Sequence, residues 1–175
     1  METIAKKPDV VATGFAFAEN PRWNQNRLWF VDLHSSRVVA METNGKVETV
    51  LETPFAPSGI GFLPDGSLLI VAVHDMKIMR FQDGKLSLYA DLSHLARCGM
   101  NDMLVDPAGR AYAVQYGFDW RAGEKPVAVG LLTVTSDGKV GVAAPDVLTG
   151  NGMALSIPDF LWGLVLVLVL GVLWP

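Results

Sequence analysis

Gly66-Ser-Leu-Leu-Ile-Val71 is a turn glycine followed by an unbroken apolar run, and the same pattern stands twice more in the chain. Its counterparts are Asn26-Arg-Leu-Trp-Phe-Val31 and Gly109-Arg-Ala-Tyr-Ala-Val114, so the turn positions lie 40 and 43 residues apart. A second series runs between them: Asn44-Gly-Lys46, Asp83-Gly-Lys85 and Asp137-Gly-Lys139. Asn-Gly and Asp-Gly supply the positive φ angles that tight two-residue hairpins need, so each is read as the turn of a second hairpin. Two hairpins in about 40 residues make a four-stranded antiparallel unit, and such a unit in tandem is the signature of a propeller blade. The expectation is an all-β chain, a partial β-propeller of about three four-stranded blades plus the start of a fourth. An irregular sandwich also has short strands and frequent turns, but two turn series in regular register favour the propeller.

The rest of the chain fits that frame. No long segment before residue 157 shows helical periodicity, and Leu92–Cys98 is at most a turn or two of helix. In the third blade the second-hairpin glycines Gly84 and Gly138 are 54 residues apart, against 39 between Gly45 and Gly84. The excess falls on Phe118–Ala128, read as an inserted loop.

Composition narrows the function. Half of the 175 residues are apolar, enough for a buried core, and the net charge is a mild −4. No basic run is present that could track a phosphate backbone, so nucleic acid is not an expected partner. The single cysteine, Cys98, allows neither an intrachain disulfide nor a cysteine-based zinc cluster, and it is read as structural. The first ten residues lack the apolar stretch of a secretory signal, which makes a cytoplasmic location the expectation. Phe160–Pro175 is sixteen residues without a charge, just short of the roughly 17–25 that span a bilayer. Residues 1–156 are therefore taken as the propeller part and 157–175 as a separate apolar tail, capable of membrane or self-association.

The first strand of each propeller blade lines the central channel. Counting back from the turns, Ser58, Asn101 and Asn151 head successive first strands, and Glu19 heads the earliest with one residue fewer before its turn. One carboxylate and amide oxygens meeting at a channel mouth would make a hard-oxygen site suited to calcium, with zinc, magnesium or manganese as alternatives. Taken singly, each residue reads equally well as a turn cap or a solvated surface group. The loops that return to the same face carry His34, His74-Asp75 and Tyr116 to Asp119. Trp23, Trp29 and Phe30 are read as packing between blades.

At these residues a family resemblance appears. Phe17-Ala-Glu-Asn-Pro-Arg-Trp23, Met100-Asn-Asp-Met-Leu-Val-Asp-Pro-Ala-Gly109, Tyr116-Gly-Phe-Asp119 and Asn151-Gly-Met-Ala-Leu-Ser156 resemble the senescence-marker-protein/gluconolactonase/luciferin-regenerating family over roughly Val10 to Ser156. The resemblance implies a six-bladed propeller with a divalent metal in its channel and hydrolysis of lactones or related esters. It implies Glu19, Asn101 and Asn151 as metal ligands. Asn101 and Asp102 follow as substrate contacts, with His74 and Tyr116 added from the neighbouring loops. The arginine that some members carry two residues before the asparagine is Gly99 here, which puts recognition of a sugar acid in question. The family's remaining metal-binding aspartate, its general base, belongs to a later blade than this sequence reaches. After Ser156 the pattern gives way to Ile-Pro-Asp-Phe and the Leu/Val run, as a frameshift or fusion near Ser156–Asp159 would produce. The expected function is a metal-dependent lactonase or esterase whose activity this chain alone does not supply. A non-enzymatic ligand- or protein-binding propeller and a non-functional fragment are the alternatives.

Overall fold

The structure, a computed structural model, describes residues 9–156 and 164–167. Strands β1 (Ala18–Asn24), β2 (Arg27–Asp32), β3 (Arg37–Met41) and β4 (Val47–Glu52) form one antiparallel sheet in chain order. Strands β5 (Pro57–Phe62), β6 (Leu68–Ala72), β7 (Lys77–Gln82) and β8 (Lys85–Asp91) form the second. The third holds β9 (Met100–Val105), β10 (Ala111–Gln115), β11 (Val129–Val134) and β12 (Val140–Val147). β13 (Met153–Ser156) opens a fourth unit and pairs with β14 (Leu164–Val167) in antiparallel register. The chain is thus an all-β partial propeller with three four-stranded blades and the start of another.

β6, the strand quoted first, explains why the blades stack. Its side chains alternate between faces, and both faces are buried. Leu68 and Ile70 pack towards blade 1 with Trp29, Val31, Val38, Ala40 and Ile60. Leu69 and Val71 pack towards blade 3 with Ile78, Leu92, Met100, Met103 and Leu132. An unbroken apolar run is what a strand sandwiched between two neighbouring sheets requires. Each such side chain contributes roughly 1.5–3 kcal/mol on burial. A smaller cluster, Val114, Leu131 and Met153, joins blade 3 to β13. Trp29 and Phe30 are buried as the sequence suggested, but Trp23 is 61 % exposed. It lies on β1 near the hairpin tip, where the alternation turns it to solvent.

The turns differ in part from the two-residue hairpins anticipated. Asp83-Gly84 is one, with φ of +51° and +73°. The Asn44 and Asp137 turns are three-residue loops: Gly45 and Gly138 donate back to Glu42 O and Thr135 O, and the flanking pairs Glu42–Lys46 and Thr135–Lys139 close the ladder. A type I turn ending in a left-handed glycine produces this geometry. The inserted loop is real: β10 and β11 are joined by residues 116–128, whereas residues 33–36 and 73–76 suffice in blades 1 and 2. Of the apolar tail only β14 falls among the described residues; the rest of that expectation lies outside them. Among the described residues no helix is long and apolar enough to cross a membrane.

One contact fixes how blades 2 and 3 meet, and another holds blade 1 to the segment before it. An ideal Cβ on Gly59 of β5 would lie 2.2 Å from Met103 N and 2.6 Å from the Asp102 carbonyl carbon of β9. Only glycine lets these two first strands approach so closely. In blade 1, the buried Asp32 carboxylate accepts hydrogen bonds from Ala16 N (3.0 Å), Phe17 N (2.8 Å), and Arg37 Nε (3.2 Å) and Nη2 (2.9 Å), tying the segment before β1 to the sheet. Burial works against its charge, but the bonds from Phe17, Arg37, Ser35 and Ala16 outweigh burial and hold the carboxyl below its ordinary value.

Gly59→Ala is expected to destabilise the chain by about 3 kcal/mol, at the upper end of overpacking costs, lowering Tm by roughly 6–12 °C. Gly141→Ala, whose added methyl would meet only Thr133 Cγ2 at 3.7 Å, should stay within about 0.5 kcal/mol; thermal melts of the two variants check this. Asp32→Asn should cost about 2 kcal/mol at neutral pH, the worth of bonds to a charged group. The Asp32 contribution is fully present above the unfolded carboxyl value near 3.9 and disappears as pH falls through the lower folded value. Urea titrations should therefore show the gap between native and variant closing in strong acid.

Candidate functional site

The heads of the first three inner strands share one irregularity. In each, two residues oppose a single partner: Asn20-Pro21 against Phe30, Ser58-Gly59 against Val71, and Asn101-Asp102 against Val114. Such bulges bend the strand and re-aim a side chain, and they are common beside functional sites. The first bulge residues are thus Asn20, Ser58 and Asn101. Counting from the turns singled out Glu19 in place of Asn20 because the blade 1 hairpin has a shorter ladder and a two-residue turn, Gln25-Asn26. Asn20 adopts φ +54°, a left-handed conformation that asparagine tolerates better than most residues.

Those three residues are joined by hydrogen bonds around the channel. Asn20 Nδ2 donates to Ser58 Oγ at 2.9 Å. The Ser58 hydroxyl has one proton to give and two acceptors in reach, Glu19 Oε1 at 2.9 Å and Asn101 Oδ1 at 3.3 Å. Asn101 Nδ2 donates to Gly150 O at 3.2 Å, on the threshold of the fourth unit. Ser58 and Asn101 are buried, and Glu19 is half-buried. Burial lifts the Glu19 carboxyl above its ordinary value; the Ser58 bond opposes this, the Asp102 charge adds to it and His34 opposes it.

Asp102 is differently placed. Its Oδ1 accepts from Arg22 Nη2 (2.6 Å) and Met103 N (2.7 Å), and its Oδ2 from Met153 N (2.9 Å). Arg22 Nη2 also donates to Met103 O at 2.6 Å. The carboxylate is buried and both oxygens are committed, so it clamps blade 1, blade 3 and β13 together. Nothing in the sequence around Arg22 points to a partner 80 positions away. Asn20 had a weak signal, an asparagine at a strand head before proline, but no cue to its partner.

Glu19, Asn151 and Asp102 share the walls of an open hollow that also includes Arg22 and Met153. Asn151, directly after the carbonyl that holds Asn101, is exposed. Among the described residues no three His, Cys, Asp or Glu side chains gather into a metal cluster. The oxygens that approach each other are those of the Glu19 carboxylate and the Asn101 amide at Ser58, hard-oxygen donors of the kind calcium and magnesium prefer to zinc. The Asn101 NH2 is occupied by Gly150 O, which leaves Oδ1 facing the Ser58 hydroxyl.

The three returning loops meet at a second hollow of ≈ 300 Å³, walled by His34, His74, Tyr116, Phe118, Trp120 and neighbouring residues. Tyr116 is half-buried; burial raises its phenol above the ordinary value, and the nearby Glu19 charge adds to the effect. Cys98 also lines this hollow.

No curated protein sequence matches the chain. By structure it resembles a gluconolactonase from Xanthomonas campestris, with TM-score 0.68 and 21 % identity over 83 % of this chain and 52 % of that one. A calcium-binding protein, regucalcin, from Agrobacterium tumefaciens gives 0.63 and 22 % over 81 % and 47 %. A luciferin-regenerating enzyme gives 0.65 and 19 % over 79 % and 48 %. At these identities the likeness concerns the fold, and the chain spans about half the length of each. The profile of the SMP-30/gluconolactonase/LRE-like region matches residues 17–159. With that match covering most of its length, the chain belongs to the SMP-30/gluconolactonase/LRE-like family.

Proposed function

We propose that this chain carries part of the site of a metal-dependent lactonase or esterase acting on a small-molecule substrate. The observation that supports the reading is that the Glu19 carboxylate and the Asn101 carbonyl oxygen both approach the Ser58 hydroxyl, with Asn151 on the wall of a hollow that Glu19 also lines. Glu19, Asn101 and Asn151 would hold a divalent cation, calcium first. When bound, such a cation polarises an ester carbonyl and stabilises the oxygen charge that develops on it. The chain's own part is positioning: Asn20 and Ser58 set the direction of the Glu19 carboxylate and the Asn101 carbonyl, and Gly150 O fixes which end of the amide faces inward. Tyr116 and His74 line the hollow where the substrate would lie.

Water activation is the step that these residues do not supply. Asp102, the other carboxylate at the site, has both oxygens engaged by Arg22, Met103 and Met153. Freeing it would leave Arg22 without its partner. Glu19, as a cation ligand, could not serve as the base at the same time. We therefore read the general base as belonging to a group outside this sequence, and the chain as weakly active or inactive alone.

Calcium in hundredfold excess over its Kd should stabilise the folded chain by about 2.7 kcal/mol, a rise of roughly 5–10 °C in Tm. Glu19→Gln removes the one formal charge among the three ligands and should abolish most of that rise; an undiminished response would place the cation elsewhere. In a pH-indicator lactone assay with calcium or manganese, turnover should be at least ~100-fold below that of a chain continued in the family pattern through six blades, the scale of a missing general base. Comparable turnover by both would show that the base is already present here.

A further inference from the structure

We propose that the hollow beneath the β10–β11 loop binds a planar aromatic lactone or ester carrying polar ring substituents, in preference to a polyhydroxylated sugar lactone. This rests on reading the hollow as the substrate side of the proposed hydrolase site.

Rings dominate its walls. Phe17 and His34 come from blade 1, with centroids 4.9 Å apart, His74 from blade 2, and Tyr116, Phe118 and Trp120 from blade 3. Flat faces from three blades suit stacking on another flat ring. The polar groups of the inner wall are two imidazoles and a phenol at ring edges, which match one or two ring substituents; Asp119 and Arg121 stand with Trp120 on the loop. At the rim, Asp119 Oδ1 accepts from Arg121 N (2.9 Å) and Ala122 N (3.3 Å), and the Arg121 guanidinium lies 5.0 Å over the Trp120 ring.

Gly99 supplies no side chain to this wall. Its φ is +150°, and an added Cβ would lie 3.3 Å from Val73 O and 3.6 Å from Tyr116 Cδ2. Tyr116 N donates to Gly99 O at 3.0 Å, so the tyrosine sits against the place where a longer side chain would start. The volume, ≈ 300 Å³, is at the lower end for ligand pockets and matches a one- or two-ring molecule.

The loop that completes the hollow is built, not merely long. At its neck a Cβ on Gly117 would fall 2.0 Å from Val127 O. Glu124 then braces the tip: its Oε2 accepts from Asp119 N (3.0 Å) and Arg97 Nη2 (3.1 Å), and its backbone N donates to Asp119 O (3.1 Å). Trp120, on that tip, is 65 % exposed, with the Arg121 guanidinium over one face of its ring.

The probe is 7-hydroxycoumarin, a planar hydroxylated lactone, titrated by its own fluorescence anisotropy with D-gluconate as competitor. Saturable binding is expected, weakened roughly threefold to tenfold by Trp120→Ala, unchanged by Trp23→Ala at an equally exposed site in blade 1, and not displaced by gluconate. Trp120 is outside the core, so its loss leaves the fold intact; Tyr116→Leu provides a second, inner-wall variant. Absence of saturable binding, indifference to both hollow variants, or displacement by gluconate at similar concentration would overturn the proposal. The two readings also separate. Aromatic binding at the hollow, with no hydrolysis by the six-bladed chain, keeps this inference and ends the hydrolase reading. Hydrolysis of a sugar lactone by that chain, with no coumarin binding here, does the reverse.

Discussion

The approach of β5 to β9 at Gly59 governs the arrangement of everything around it. With no side chain at that position, the inner strands of adjacent blades come close enough for bulge residues to touch. Asn20, Ser58 and Asn101 then form one hydrogen-bonded series across three blades, although 38 and 43 residues separate the successive pairs. A wider spacing between β5 and β9 would take the Asn101 carbonyl oxygen out of reach of Ser58, and a buried acceptor left unsatisfied costs about 1–3 kcal/mol. The apolar clusters on either side of β6 supply the attraction that drives the sheets together. The glycine decides how close they come, and the bulges convert that closeness into a polar site.

Two carboxylates stand at this site and their surroundings give them opposite roles. Asp102 has two backbone N–H donors and a guanidinium within reach of its two oxygens. Its charge is fully compensated, and moving it would uncouple blade 1 from blade 3. Among the described residues Glu19 has one hydrogen-bond partner, the Ser58 hydroxyl it shares with Asn101, and its carboxyl is raised by burial and by the neighbouring Asp102 charge. A carboxylate with one hydrogen bond keeps lone pairs for another cation, and one with its partners complete does not. This asymmetry is the physical ground for placing binding at Glu19 and framework at Asp102, though both lie close together at the same channel mouth.

Much of the fold was legible because it depends on local signals. Turn residues with positive φ recur at blade spacing, and Leu68–Val71 can hardly be anything but a strand covered on both faces. The excess length between Gly84 and Gly138 likewise revealed the loop at 118–128. What stayed hidden depends on registers between strands. Counting from turns reached Glu19 but passed over Asn20, because the turn and the ladder are each one residue shorter than in blades 2 and 3 and together shift the bulge by two residues. The tie from Arg22 to Asp102 joins residues in different blades and has no spacing to betray it. Trp23 was misjudged for a related reason: its apolar character suggested the interior, while strand alternation close to a hairpin tip turns it outward.

The division of labour between strands and loops follows from their rigidity. The oxygens of Glu19, Ser58 and Asn101 are carried on strand heads locked by ladders, bulges and a glycine contact, where a small displacement would break the series. The hollow is walled by the connections between second and third strands, which can change length without disturbing that core. Residues 116–128 show the consequence: the third blade lengthens its connection, braces it through Glu124, and brings Phe118 and Trp120 over the same face as Tyr116. Tyr116 links the two systems. It follows directly on β10, its backbone is tied to Gly99 ahead of β9, and its phenol feels the Glu19 charge. Selectivity can therefore be altered in the loop while the geometry of the oxygens is preserved in the strands, and a change at Tyr116 is the one that should be felt in both.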